Sequence, residues 1–284
     1  MSNHTLGDSL FVELADGRRL HYRSRGTGTP TVVFESGMGF SGSYWGLVQP
    51  AIAQVTTAVT YDRAGSGMSD WDDEARSLDR IADDLGQLLD SLEGPFILVG
   101  HSWGGPIVRT FTSRKSHDVA GLILVDQSDE RDPEYFTKSR PSKPNAVQRV
   151  TRLAMHTVGL RLASMRLLKN MPADCMREVI WGDLARSGLR VGNAEFDHFI
   201  PDLRTLLAKP DAFSGIEVTL ISGTKLSRME KSFRPGLIQA HQETAAACES
   251  GKWVEAAASG HYPPITEPDL VIREILSLVD TIRG

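Results

Sequence analysis

The run Phe96-Ile97-Leu98-Val99 is apolar at every position and leads straight into Gly100-His101-Ser102-Trp103-Gly104, after which a helix-like segment begins. A strand with no polar face must be covered on both sides, and sheets covered in that way are built mainly of parallel strands with helices above and below. A second such run, Leu122-Ile123-Leu124-Val125, ends in Asp126. Two central strands of this kind restrict the chain to an α/β architecture.

The remaining pattern is consistent with that restriction. Strands are expected at residues 9–14, 19–24, 31–35, 57–62, 96–100 and 121–126, the first two joined at the Asp16-Gly17 turn signal. Helices are expected at 77–92, where Ile81, Leu85, Leu88, Leu89 and Leu92 make one apolar stripe, and at 105–113. From 127 to 212 the strand signal stops. Helix-like segments at about 145–169, 173–187 and 193–208 replace it, punctuated by Pro141, Pro144, Pro172, Pro201 and Pro210. A strand at 216–222, a helix at 234–249, a strand at 252–256 and a helix at 268–282 complete the series. The expected fold is α/β: a mostly parallel eight-stranded sheet flanked by helices, with a helical cap inserted after the sixth strand. Residues 1–126 and 213–284 would form the core domain and 127–212 the cap.

Composition narrows the function. A chain of 284 residues with 40% hydrophobic and 24% charged content suits one large domain carrying an insertion. The formal charge of -5 argues against a nucleic-acid partner, which needs a basic excess to displace counterions. No run approaches the roughly 18 apolar residues of a membrane span, and residues 1–10 lack a basic-then-apolar leader pattern, so a cytoplasmic protein without a membrane partner is expected. Cys175 and Cys248 lie in no paired spacing and read as free thiols. Without an HExxH or CxxC element, neither metal nor cofactor is expected.

Gly100 to Gly104 is a GxSxG sequence between a buried strand and a helix, the context in which it carries chemistry. The sharp turn lifts the Ser102 hydroxyl clear of the sheet, and side chains at the flanking glycines would strike neighbouring backbone. The helix start behind the serine presents unpaired N–H groups to a developing anion. On this motif the chain resembles the α/β-hydrolase family. The resemblance extends to Asp62-Arg63-Ala64-Gly65-Ser66-Gly67-Met68-Ser69, similar to the family's D-x-x-G-x-G-x-S loop, and to Ser259-Gly260-His261, similar to its late histidine loop. Relatives that hydrolyse epoxides or carbon–halogen bonds carry an aspartate nucleophile, so a serine at position 102 implies acyl transfer instead.

The resemblance implies the other roles. His261, in a Gly-His loop between the last strand and the last helix, is the candidate base that activates Ser102. His101 is expected to be structural, and His156, His198 and His241 to be exposed or cap residues. The backbone N–H groups of Trp103 and Met38 are the candidate oxyanion donors, with Ser36-Gly37 standing where the family often has His-Gly. Glu35 is expected to pair with Arg63. The acid is less determined, because the segment after the seventh strand, Ser222-Gly223-Thr224-Lys225-Leu226-Ser227-Arg228-Met229-Glu230, holds no aspartate. Asp126, at the end of the sixth strand, is the candidate, with Glu230 as the alternative.

Between Lys138 and Arg190 there are 11 Lys or Arg against three acids. A solvated helix face usually explains such a run, although it could attract an anionic substrate. The expected function is a serine hydrolase of carboxylic esters, lactones included, acting on a small-molecule ester through an acyl-enzyme on Ser102. Amide or carbon–carbon cleavage uses the same residue types. A receptor that keeps the pocket is the reading from outside enzymology.

Overall fold

In the computed structural model the described residues are 4–114, 119–137, 165–209, 213–227 and 230–284. Eight strands form one sheet: β1 (Asp8–Glu13), β2 (Arg19–Arg25), β3 (Thr31–Glu35), β4 (Ala58–Tyr61), β5 (Phe96–His101), β6 (Val119–Val125), β7 (Glu217–Gly223) and β8 (Ser250–Ala256). Their spatial order is β1-β2-β4-β3-β5-β6-β7-β8. The β1-β2 and β2-β4 pairs are antiparallel and every later pair is parallel, which confirms the mostly parallel sheet.

Alternation along the central strands divides the core into two layers. Phe96 and Leu98 of β5, with Leu122 and Leu124 of β6, pack with Leu85 and Leu88 of helix α1 (Leu78–Leu89) and with Ile107 and Phe111 of α2 (Gly104–Arg114). Ile97, Val99, Ile123 and Val125 face the other way, toward Trp45 and toward Val271, Ile275 and Val279 of the C-terminal helix (Pro268–Arg283). That is why both strands are apolar at every position. The Ser77 hydroxyl caps α1 by accepting the Arg80 N–H, and the α1 apolar stripe lies on the sheet side.

Between β6 and β7 the described helices include a single turn at Glu134–Thr137, α3 (Ala173–Glu178), continued by a π-turn at Val179–Asp183, and α4 (Arg186–Ala208). The helix expected at 145–169 falls mostly outside the described residues, as does His156. The expected interruption at 188–192 does not occur, because α4 runs through it and also contains Pro201. Gly39 is there for a tertiary reason, since a Cβ on it would meet the Gly188 carbonyl oxygen at 3.0 Å and the Gly192 Cα at 3.2 Å, whereas Gly188 is needed locally, its own Cβ falling within 2.0 Å of the Asp183 carbonyl oxygen. Small residues on both sides let α4 lie directly on the loop after β3. Helix α5 (Arg234–Ala247) follows β7. Among the described residues, no helix is long and apolar enough to cross a membrane.

Candidate active site

Ser102 stands between β5 and α2 with φ of 54°. Its N–H donates to the Val125 carbonyl at 3.1 Å, and its carbonyl accepts the N–H groups of Gly105 at 3.1 Å and Ser128 at 2.9 Å. The flanking glycines are needed for contact. A Cβ on Gly100 would come within 2.6 Å of the Gly104 carbonyl oxygen, and one on Gly104 within 2.6 Å of the Glu35 carbonyl oxygen. Asp126, one residue beyond β6, has φ of 41°. Among the described residues these two are the only non-glycine positions with positive φ, so the backbone cost of that region falls on two of the residues singled out above.

The Ser102 hydroxyl lies 3.0 Å from His261 Nε2, and His261 Nδ1–H donates to Asp126 Oδ2 at 2.7 Å. Asp126 is buried while His261 remains a third exposed. Burial alone would raise the Asp126 carboxyl, but the His261 hydrogen bond and the nearby His261 and Arg234 charges outweigh it, holding Asp126 well below the usual carboxylate range. Glu230, the alternative acid, bonds instead to Arg234 Nη2 at 2.5 Å. Arg234 is wholly buried, and its Nη1 lies 2.7 Å from both Asp126 oxygens. The Gly223 N–H adds a bond to Asp126 Oδ1 at 3.0 Å. The sequence reading missed Arg234, which reaches Asp126 from α5, 108 residues away.

His101 turns away from the Ser102 hydroxyl. Its ring stacks on Tyr44 with centroids 4.8 Å apart, and its Nε2–H donates to the His261 carbonyl at 2.8 Å. Burial pushes its pKa down to about 3, so the ring is neutral. The expectation for His241 requires correction. This residue is buried on α5, its Nδ1 2.7 Å from the Ser222 hydroxyl and its Nε2–H donating to the Gln127 carbonyl at 2.8 Å. An α5 face packed on β7 and the segment after β6 takes up an imidazole that looked like a surface residue.

The loop after β3 comes close to the elbow: a Cβ on Gly37 would meet the Ser102 Cβ at 3.2 Å. Met38 follows, and both Met38 and Trp103 line a chamber of about 710 Å³ together with Ser102 and His261. Arg63 pairs with Glu35 as expected, and it does more. Its guanidinium donates to the carbonyls of Ser36 at 2.7 Å and Gly37 at 2.8 Å, and to Glu195 of α4 at 2.7 and 3.1 Å. Glu195 in turn accepts the Gly39 N–H at 3.0 Å. Arg190, one of the cations counted between 138 and 190, is engaged away from this chamber, over the Trp71 ring at 3.8 Å and on Asp73 at 2.7 Å. Among the described residues, His4, Asp174 and Cys175 bring candidate metal-ligand atoms within 4.8 Å of one another. The Asp174 oxygens already accept from Thr5 and Cys175, and burial pushes the Cys175 thiol up, away from the thiolate a metal would need.

Comparison with known proteins bears on the family and the fold. The model of the alpha/beta hydrolase family matches residues 32–274. An uncharacterized protein of Bacillus subtilis, YqjL, is 33% identical over 114 residues, which is 39% of this chain and 45% of that protein. The chain spans less than half the length of this relative and of two others that it matches. Among solved structures, the epoxide hydrolase CorEH superposes with a TM-score of 0.69 at 22% identity, over 97% of this chain and 99% of that one. An esterase from Thermogutta terrifontis superposes with a TM-score of 0.68 at 18% identity, over 98% of this chain and 100% of that one. Sheet order, elbow and family match lead to one conclusion: the chain belongs to the alpha/beta hydrolase family.

Proposed function

We propose that this hydrolase cleaves carboxylic esters, lactones among them, through an acyl-enzyme on Ser102. The observation that carries the reading is the continuous hydrogen-bonded chain from Ser102 through His261 to Asp126, at 3.0 and 2.7 Å. A serine hydroxyl needs a base to become nucleophilic, and the base needs its second N–H held by an acceptor. His261 Nε2 takes the Ser102 proton as Oγ bonds to the ester carbonyl carbon, and the carbonyl oxygen becomes an anion held by the N–H groups of Met38 and Trp103. The intermediate collapses with loss of the alcohol, which leaves with the proton from His261. Water then repeats the attack, giving up a proton to His261, and releases the acid and the free serine. The helices between β6 and β7 serve as a cap over the chamber. The likeness to CorEH does not extend the reading to epoxides, because a serine rather than a carboxylate stands at the elbow.

The test is labelling with a fluorophosphonate, with the adduct mapped by mass spectrometry, alongside hydrolysis of a series of p-nitrophenyl esters. The expected result is an adduct on Ser102, with labelling and ester turnover both lost in a folded Ser102→Ala variant. An adduct on another serine, or ester hydrolysis that survives Ser102→Ala, overturns the reading. The same protein given matched anilides separates ester from amide cleavage.

A further inference from the structure

Beside the chamber around Ser102, and sharing Met38, Phe196 and Tyr262 with it, lies a second chamber of about 490 Å³ against α4. The second chamber is lined largely by apolar side chains, among them Phe40, Leu168, Val179 and Ile265. Among the described residues, Asp183 is the one acid in its wall. Asp183 closes the π-turn at Val179–Asp183 and is 5% exposed. Such turns widen a helix by one residue and redirect a side chain, and they recur at functional sites. Burial pushes the Asp183 carboxyl well above its ordinary value, against the hydrogen bonds it accepts from Ser41. Ser41 holds it twice, through its backbone N–H and through its hydroxyl, which donates to Oδ2 at 2.9 Å. In its protonated form the carboxyl has an O–H to offer beyond what it accepts from Ser41, and the other polar side chains of the described lining are Tyr44, Asn193 and Tyr262.

We infer that the second chamber is a substrate subsite in which Asp183 hydrogen-bonds an uncharged oxygen, a ketone, hydroxyl or ether, carried on an apolar arm of the substrate. The inference rests on the ester-hydrolase reading for the identity of the scissile bond, and on the chamber alone for the arm. Met38, Leu167, Phe196 and Tyr262 line both chambers, so the two lie side by side, and in the inferred mode of binding a single molecule presents its ester to Ser102 and its arm to Asp183. Apolar walls reward a hydrocarbon arm, and a buried carboxyl set among them fixes where a polar atom must sit along it. A plain alkyl arm fills the same space and leaves the Asp183 proton without an acceptor.

The test pairs methyl octanoate with methyl 7-oxooctanoate, of equal chain length. Binding is read by calorimetry on the Ser102→Ala protein and turnover by pH-stat on the wild type; octyl and 7-oxooctyl acetates repeat the comparison with the arm on the alcohol side. The expected result is a preference of about 3- to 10-fold for the oxo compound in one of the two series, the range one uncharged hydrogen bond supplies. In Asp183→Leu this preference disappears, the loss of affinity falling more heavily on the oxo compound than on the plain ester. Asp183→Asn, which keeps a donor and the side-chain shape, retains the preference and serves if the leucine variant does not fold. Equal affinity for the two compounds in both series, or a loss in Asp183→Leu that falls equally on both, overturns the inference. A binding preference in a protein that turns over none of these esters leaves the subsite standing and removes the ester reading. Turnover without a preference does the reverse.

Discussion

At the scale of single residues, Asp126 holds two partners that compete for its charge. The His261 N–H shares Oδ2 with Arg234, whose buried guanidinium also bonds Oδ1. A carboxylate neutralised in part by Arg234 supports less positive charge on the imidazole than a carboxylate left to His261 alone. Arg234→Met should therefore leave more of the Asp126 carboxylate charge to the imidazolium that forms when the ring takes the Ser102 proton. The acid limb of the kcat/KM profile moves to higher pH, and it moves further because Glu230 also loses its partner; His101, His241 and Tyr262, the other titratable groups nearby, keep their places. Arg234→Lys, which preserves the charge, should leave the limb near wild type. An unchanged limb in the methionine variant would mean that Arg234 only fills space. Asp126 was legible in the sequence because an apolar strand ran directly into it. Arg234 was not, since the residue that neutralises a buried carboxylate is chosen by tertiary packing and leaves no local pattern.

At the scale of elements, α4 and the loop after β3 are joined through Arg63 and Glu195. Arg63 holds the carbonyls of Ser36 and Gly37, and Glu195 holds the Gly39 N–H, so the residues on either side of Met38 are fixed by one buried ion pair. An N–H aimed at an oxyanion acts only as the negative charge develops. Glu195→Gln, which keeps the shape but weakens the hold on Arg63 and Gly39, should lower kcat by roughly 10-fold or more with little change in KM. Steady-state kinetics on one activated ester decides it, and a rise in KM at constant kcat would place Glu195 in substrate binding instead. The strands were legible because burial on both faces writes itself into every residue of β5 and β6. The course of α4 was not, since Gly188, Gly192 and Pro201 look like helix breakers, and the contact that Gly39 permits, against Gly188 and Gly192, lies more than 140 residues away along the chain.

At the scale of the whole molecule, the buried titratable groups around the two chambers pull acid stability in opposite directions. His101 is held neutral, its pKa pushed down to about 3 by burial, whereas an unfolded histidine takes up a proton near pH 6.5. Between those values the unfolded chain binds more protons at this site, so His101 removes stability as the pH falls through that window, by roughly 3 kcal/mol at pH 4. Asp183 and Glu35 are both raised by burial, so the folded chain keeps protons that the unfolded chain releases above about pH 4; these two remove stability as the pH rises. Asp126 is depressed, and its contribution is complete at neutral pH and lost only in strong acid, below the ordinary carboxylate value. The net curve of the wild type is a sum of these terms, so differences between variants are the informative quantity. His101→Gln, whose amide can still donate to the His261 carbonyl, should gain stability relative to wild type as urea titrations move from pH 7 to pH 5.5 to pH 4. Asp183→Asn should gain relative to wild type in the opposite direction, as the pH rises. Two parallel curves for His101→Gln and wild type would show that the His101 ring is reached by protons in the folded state, and the stacked Tyr44–His101 contact would then not be the seal that keeps the ring neutral.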